Sequence, residues 1–122
     1  MKFTLPMPPS INKTYGISRT ADQPMFKRKA AKDWEFTAGW EIKRQYPGEP
    51  DTILEPIEVG IVWYYDHDRD IDAGLKLLLD LFQKQRIYKN DRQIRRITGI
   101  EMVKLFSGNA YVEVVIELLN KK

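Results

Sequence analysis

The sequence predicts one α+β domain in the order β-α-β-α-β-β, a mixed sheet with two main helices packed on it. Three observations carry this: alternating apolar runs near residues 57–65 and 110–118, helix-period patterns over 29–46 and 71–86, and a length of 122 residues. That length, with 43% hydrophobic content, suits a single core and leaves no room for two, so residues 1–122 are read as one domain.

In order, residues 2–5 form a short strand that Pro6, Pro8 and Pro9 end, because proline has no amide hydrogen for a ladder. The stretch through Gln23 reads as loop. From Lys29 to Tyr46, Ala31, Trp34, Ala38 and Ile42 recur at helical spacing, and Pro47-Gly48-Glu49-Pro50 stops the helix. Phe36, Trp34, Trp40 and Trp63 are read as core side chains rather than base-stacking platforms. Ile57, Val59, Ile61, Trp63 and Tyr65 mark a half-buried strand by alternation and by their β-branched and aromatic character. The second helix, 71–86, turns Ile71, Leu75, Leu78, Leu79 and Phe82 toward the sheet. Leu77 and Leu81 then form a second apolar strip, which suggests either another layer of the protein or a subunit interface, the interface being preferred. Residues 94–106 read as the hairpin partner of the last strand, with Ser107-Gly108-Asn109 as the turn.

Composition excludes several chemistries. There is no cysteine, hence no disulfide, thiolate nucleophile or Cys-based zinc site, and one histidine, His67, cannot build a multi-histidine site. A metal here is held by oxygen. No apolar run approaches the roughly 20 residues of a membrane span, and the N-terminus lacks the layout of a secretory signal, so a cytoplasmic protein is expected. The net charge is only +3, but its distribution is uneven. Four aspartates crowd Asp66 to Asp72, whereas Lys84, Arg86, Lys89, Arg92, Arg95 and Arg96 accompany only Asp91.

Asp70 and Asp72 sit where a strand hands over to a helix, a place where two carboxylates reach one point. Lys76 and Asp80 follow Asp72 at one-turn intervals along the same helix flank. Asp91, before the next strand, is expected to return beside Asp70 and Asp72. Such a set suits Mg²⁺, a hard cation that takes oxygen ligands and keeps several waters, and Mg²⁺ with a nearby ammonium suits phosphodiester hydrolysis. The competing reading is that Asp72 merely caps the helix and pairs with Lys76. Asp66 and Asp68 are read as loop residues and His67 as exposed or structural. Lys27, Arg28, Lys29 and Lys32 open the first helix against its dipole, which suggests an anionic partner such as a phosphate backbone.

Several segments together resemble the RusA-type Holliday-junction resolvases: Leu5-Pro6-Met7-Pro8-Pro9-Ser10-Ile11-Asn12, Arg69-Asp70-Ile71-Asp72, Lys76, Leu79-Asp80 and Asn90-Asp91-Arg92-Gln93-Ile94. The resemblance implies a homodimer that binds four-way DNA junctions and makes paired nicks with Mg²⁺, or Mn²⁺ in its place, and no organic cofactor. It implies Asp70, Asp72 and Asp91 as metal-binding catalytic carboxylates, Lys76 as the essential lysine, and Asp80 in support. Ser10 and Asn12 match its opening loop. Lys27, Arg28, Lys29, Lys32, Arg69, Lys89 and Arg92 are expected to bind DNA. The chain departs from the family pattern at Ala73, where Asn is usual, and at Asn90, where Asp is common; both bear on activity level rather than reaction type. Two alternatives stand beside this reading, a catalytically silent junction-binding protein and a general flap nuclease.

Overall fold

A computed structural model describes residues 1–9, 15–16, 26–27, 29–47 and 51–119. Its elements are β1 (Lys2–Pro6), β2 (Tyr15–Gly16), β3 (Phe26–Lys27), α1 (Lys29–Gln45), β4 (Ile57–Tyr65), α2 (Leu75–Lys84), a 3₁₀ turn (Asp91–Gln93), β5 (Ile94–Lys104) and β6 (Tyr111–Leu118). The α+β expectation holds, with a four-stranded mixed sheet and two helices. β2, in the segment through Gln23 expected to be loop, pairs antiparallel with β3 just beyond it in a two-stranded ribbon.

The sheet order is β1-β6-β4-β5. β6 runs antiparallel to both β1 and β4, while β5 pairs in parallel with β4. The expected β5–β6 hairpin therefore does not form. The turn before β6 is present, with Asn109 at φ 80°, but it carries the chain past β4 rather than back along β5. Physically, β4 claims the centre because Ile57, Val59, Ile61 and Trp63 are buried on one face and Glu58, Gly60, Val62 and Tyr64 are half-covered on the other. β5, with Arg95, Arg96, Ile97 and Thr98 exposed, tolerates an edge. The helical connection from β4 to β5 is long enough for the crossover that parallel pairing requires.

Both helices pack against one face, where Phe3, Leu5, Val59, Ile61, Trp63, Val112 and Val114 meet Trp34, Ala38 and Ile42 of α1 and Leu77, Leu78, Leu81 and Phe82 of α2. Gln45 seats α1 on the edge of β1: its amide accepts from Thr4 N–H at 2.9 Å and donates to Thr4 C=O at 2.6 Å. Trp34 Nε1 adds a bond to Pro6 C=O at 2.8 Å.

Two sequence expectations are corrected on α2. The helix begins at Leu75 rather than at 71, and Ile71 is exposed. Leu77 and Leu81, expected at a subunit interface, are buried within the chain. The later start explains this, since residues 71–74 form a turn outside the helical period and the wheel from Leu75 onward turns Leu77, Leu78, Leu81 and Phe82 inward together.

Candidate active site

The end of β4 determines how the acidic segment is presented. Trp63, buried under the helices, donates its indole N–H to Ile71 C=O at 2.8 Å. Arg69 lays its guanidinium 5.8 Å from the Trp63 ring and donates from Nη2 to Ala73 C=O at 2.8 Å. Backbone bonds of 3.0 Å from Ala73 N–H to Asp70 C=O and from Leu75 N–H to Asp72 C=O close the turn. The main chain of residues 70–75 is thus held from below, and the side chains of Asp70 and Asp72 are left exposed.

Helix α2 is capped by Gly74, whose φ of 84° lies in the left-handed region, and no side chain caps it. Asp72 is therefore not an N-cap, which removes the structural explanation for its carboxylate. Among the described residues the carboxylate of neither Asp70 nor Asp72 has a hydrogen-bond or ion-pair partner. Gly74 is irreplaceable on two counts: a Cβ there would lie 2.7 Å from Pro8 Cγ and 3.1 Å from Arg69 Nη2, and φ is positive. Gly74→Ala is expected to destabilise the fold by about 1–3 kcal/mol, measured by denaturant unfolding, and to lower any activity that depends on the turn.

Lys76, in the first turn of α2, is exposed, and Asp80 lies half-buried one turn further on the same flank. Asp91 occupies a tightly tied turn. Asn90 Oδ1 accepts from Arg92 N–H at 2.8 Å, and Gln93 Oε1 accepts from Lys89 and Asn90 N–H at 2.9 and 2.8 Å. Gln93 Nε2 reaches Ile53 C=O, and Asp91 N–H donates to Gln83 Oε1 at 3.0 Å. The Tyr88 hydroxyl, donated to Leu79 C=O, has its pKa raised well above the usual phenol range, first by burial and then by the nearby charges of Asp91 and Asp80.

The carboxylates thus fall into two groups along α2: Asp70 and Asp72 before its first turn, and Asp80 with Asp91 around Tyr88. Among the described residues no three acidic or histidine side chains gather closely enough to hold a metal ion. The expected meeting of Asp91 with Asp70 and Asp72 is not made within the single chain: Asp91 precedes β5, whose first residue Ile94 faces Ile57 at the start of β4, whereas Asp70 and Asp72 follow the other end of β4.

The expected basic contacts divide. Lys89 and Arg92 are exposed beside Asp91, and Lys32 is exposed on α1. Lys29 is held by Asp33 at 2.8 Å. Arg69 turns inward onto Trp63 and Ala73, so its guanidinium shapes the turn. Lys27 and Arg28 have side chains outside the described residues, as do Ser10 and Asn12. His67 is exposed, with Nδ1 3.1 Å from Asp66 Oδ1, and the hydrogen bond to His67 lowers the Asp66 pKa. No period in the sequence marks Gly74, Gln83 or Tyr88, and Gln93 stands in a matched segment that assigns it no role. Phe36 and Trp40, read as core, are 70% and 61% exposed. Here the signal existed: the buried stripe Ala31, Trp34, Ala38 and Ile42 excludes both positions at 100° per residue.

Fold and site together define a small α+β protein with two exposed carboxylates, unpaired among the described residues, at a strand-to-helix turn that leads into a helix carrying an exposed lysine. Residues 6–117 match the family model described as Endodeoxyribonuclease RusA, and the chain belongs to that family. It is also similar to the crossover junction endodeoxyribonuclease RusA of Aquifex aeolicus (strain VF5), at 28% identity over 79 residues, 65% of this chain. That match spans 63% of the relative's own length.

Proposed function

We propose that this protein is a structure-selective endodeoxyribonuclease that resolves four-way DNA junctions by paired symmetric nicks. The observation that carries the reading is the family match across residues 6–117 with Asp70 and Asp72 exposed at the turn before Lys76. Asp70 and Asp72 would hold Mg²⁺ or Mn²⁺, and Asp91, which a single chain does not bring to them, would join them only from the second copy of a dimer. A divalent ion bound there supplies charge neutralisation on the phosphate and a water of lowered pKa.

The chain's own residues do the rest. Trp63, Arg69 and Gly74 fix the turn that presents the carboxylates, so that little ordering cost remains when phosphate arrives. Lys76 places an ammonium near the developing negative charge. Lys89 and Arg92 extend a positive surface for the phosphate backbone. Two copies related by a two-fold axis would present identical sites to the symmetry-related strands of a junction, which is the physical reason for proposing a homodimer.

The test is incubation with a synthetic four-way junction, with Mg²⁺ and with EDTA. Two symmetric nicks in Mg²⁺, abolished by EDTA and restored by added Mg²⁺ or Mn²⁺, are expected. Faster cutting of flaps or forks than of junctions would replace this reading with a general branched-DNA nuclease. Binding without any cutting would leave a junction-binding protein.

A further inference from the structure

The outward face of α1 carries a feature that the cleavage chemistry does not use. Phe36 and Trp40, one turn apart, are the two large aromatic side chains this helix exposes, with ring centroids 6.4 Å apart and ring planes at 73°. Lys32 precedes them by one turn, and Lys43 follows with its Nζ 5.5 Å from the centre of the Trp40 ring. The stripe therefore reads cation, ring, ring, cation.

The charges around it are biased. Asp33 is paired with Lys29, Glu41 with Arg44 and Glu35 with Lys84 of α2. Among the described residues no carboxylate stands within ion-pair distance of Lys32 or Lys43. The acids of the helix are thus neutralised inside the chain, and the rings lie between two cations left over. Leaving two aromatic rings in water costs apolar burial, so a partner that covers them is expected. A second copy is a poor one, because crossing α1 on itself about the rings sets lysine against lysine whichever way the helices run. A polyanion with flat, unpaired faces matches both features: rings stack on bases and the lysines meet the phosphates on either side.

We propose that the Lys32–Phe36–Trp40–Lys43 stripe is a docking platform for unpaired nucleobases of branched DNA. It rests on the DNA-directed reading above and adds the place where exposed bases are held. The platform belongs to a different element from the carboxylates, so binding there separates experimentally from cutting.

Trp34 and Trp63 are buried, so Trp40 dominates any change in tryptophan emission on contact with DNA. Titrating the full chain with a short oligothymidylate is expected to quench that emission, and absence of quenching overturns the proposal. Phe36→Ala and Trp40→Ala are each expected to weaken binding of the oligonucleotide, and of a junction with unpaired bases at its centre, by about tenfold, leaving binding of a continuous duplex within about twofold. Trp40→Phe is expected to restore most of the lost affinity. Lys32→Gln and Lys43→Gln should each flatten the salt dependence of binding, by a log–log slope of about 0.7. Unchanged affinity in both alanine variants, or a change in sedimenting mass in place of a change in affinity, overturns the proposal, the latter in favour of a second copy. Junction cleavage measured in parallel keeps the two readings apart. A wild-type chain that binds the oligonucleotide and cuts nothing defeats the nuclease reading alone, whereas a wild type that cuts normally, with alanine variants that bind normally, defeats this one alone.

Discussion

Asp72→Asn is expected to reduce junction cleavage by at least about a hundredfold while leaving junction binding nearly intact. The substitution keeps the shape of the side chain and removes its charge, so an exposed carboxylate without a partner among the described residues changes the fold little: a stability change within about 0.5 kcal/mol is expected. Cleavage time courses at saturating enzyme, with binding followed separately in Ca²⁺, measure the two effects. Retention of wild-type cleavage would remove Asp72 from the site. The same experiment on Asp80→Asn and Asp91→Asn addresses the division of the carboxylates around α2. Under the proposed function, Asp91→Asn loses as much as Asp72→Asn. Asp80→Asn loses less, since Asp80 is half-buried next to Tyr88.

The second large effect belongs to Trp63. Trp63→Ala is expected to cost about 3–5 kcal/mol of stability, because it empties a fully buried ring position at the centre of the sheet. It also removes both the indole bond to Ile71 C=O and the surface beneath the Arg69 guanidinium. Trp63→Phe separates packing from positioning. It keeps an aromatic ring but loses the N–H, so a smaller stability loss of about 1–2 kcal/mol is expected, leaving Ile71 C=O without its donor. Activity should nonetheless fall, with a raised requirement for Mg²⁺, because the turn that presents Asp70 and Asp72 is loosened. Chemical denaturation and a Mg²⁺ titration of cleavage check the two parts. A phenylalanine variant with wild-type Mg²⁺ dependence would show that the turn needs no anchor from β4.

Much of this molecule is legible before folding. The helix over Lys29–Gln45 and the strands Ile57–Tyr65 and Tyr111–Leu118 follow from residue periods that are local and strong. The acidic turn and its lysine are legible for the same reason: Asp70, Asp72 and Lys76 are close in sequence, and a strand-to-helix passage keeps them close in space. The absence of cysteine and the single histidine already leave oxygen as the donor for any metal.

What the chain alone left open are matters of long-range competition. Periodicity reports which face of a strand is apolar and not which strand lies beside it, so the β5–β6 pairing looked natural until β4, apolar on one face and half-covered on the other, took the central place. The turn that carries Asp91 is set by side-chain amides, Gln83 accepting from Asp91 N–H and Gln93 donating to the distant Ile53 C=O, and such polar ties leave no period in a sequence. Helix α2 begins four residues later than its pattern suggests because Gly74, with its left-handed backbone, is fixed against Pro8 and Arg69, which only the folded chain brings there. Sequence determined the elements and the chemistry they carry; tertiary packing decided strand order, the separation of Asp91 from Asp70 and Asp72, and which aromatic rings face water. The physical reason is that local periods are set by backbone geometry, whereas neighbours are chosen by the burial of whole faces.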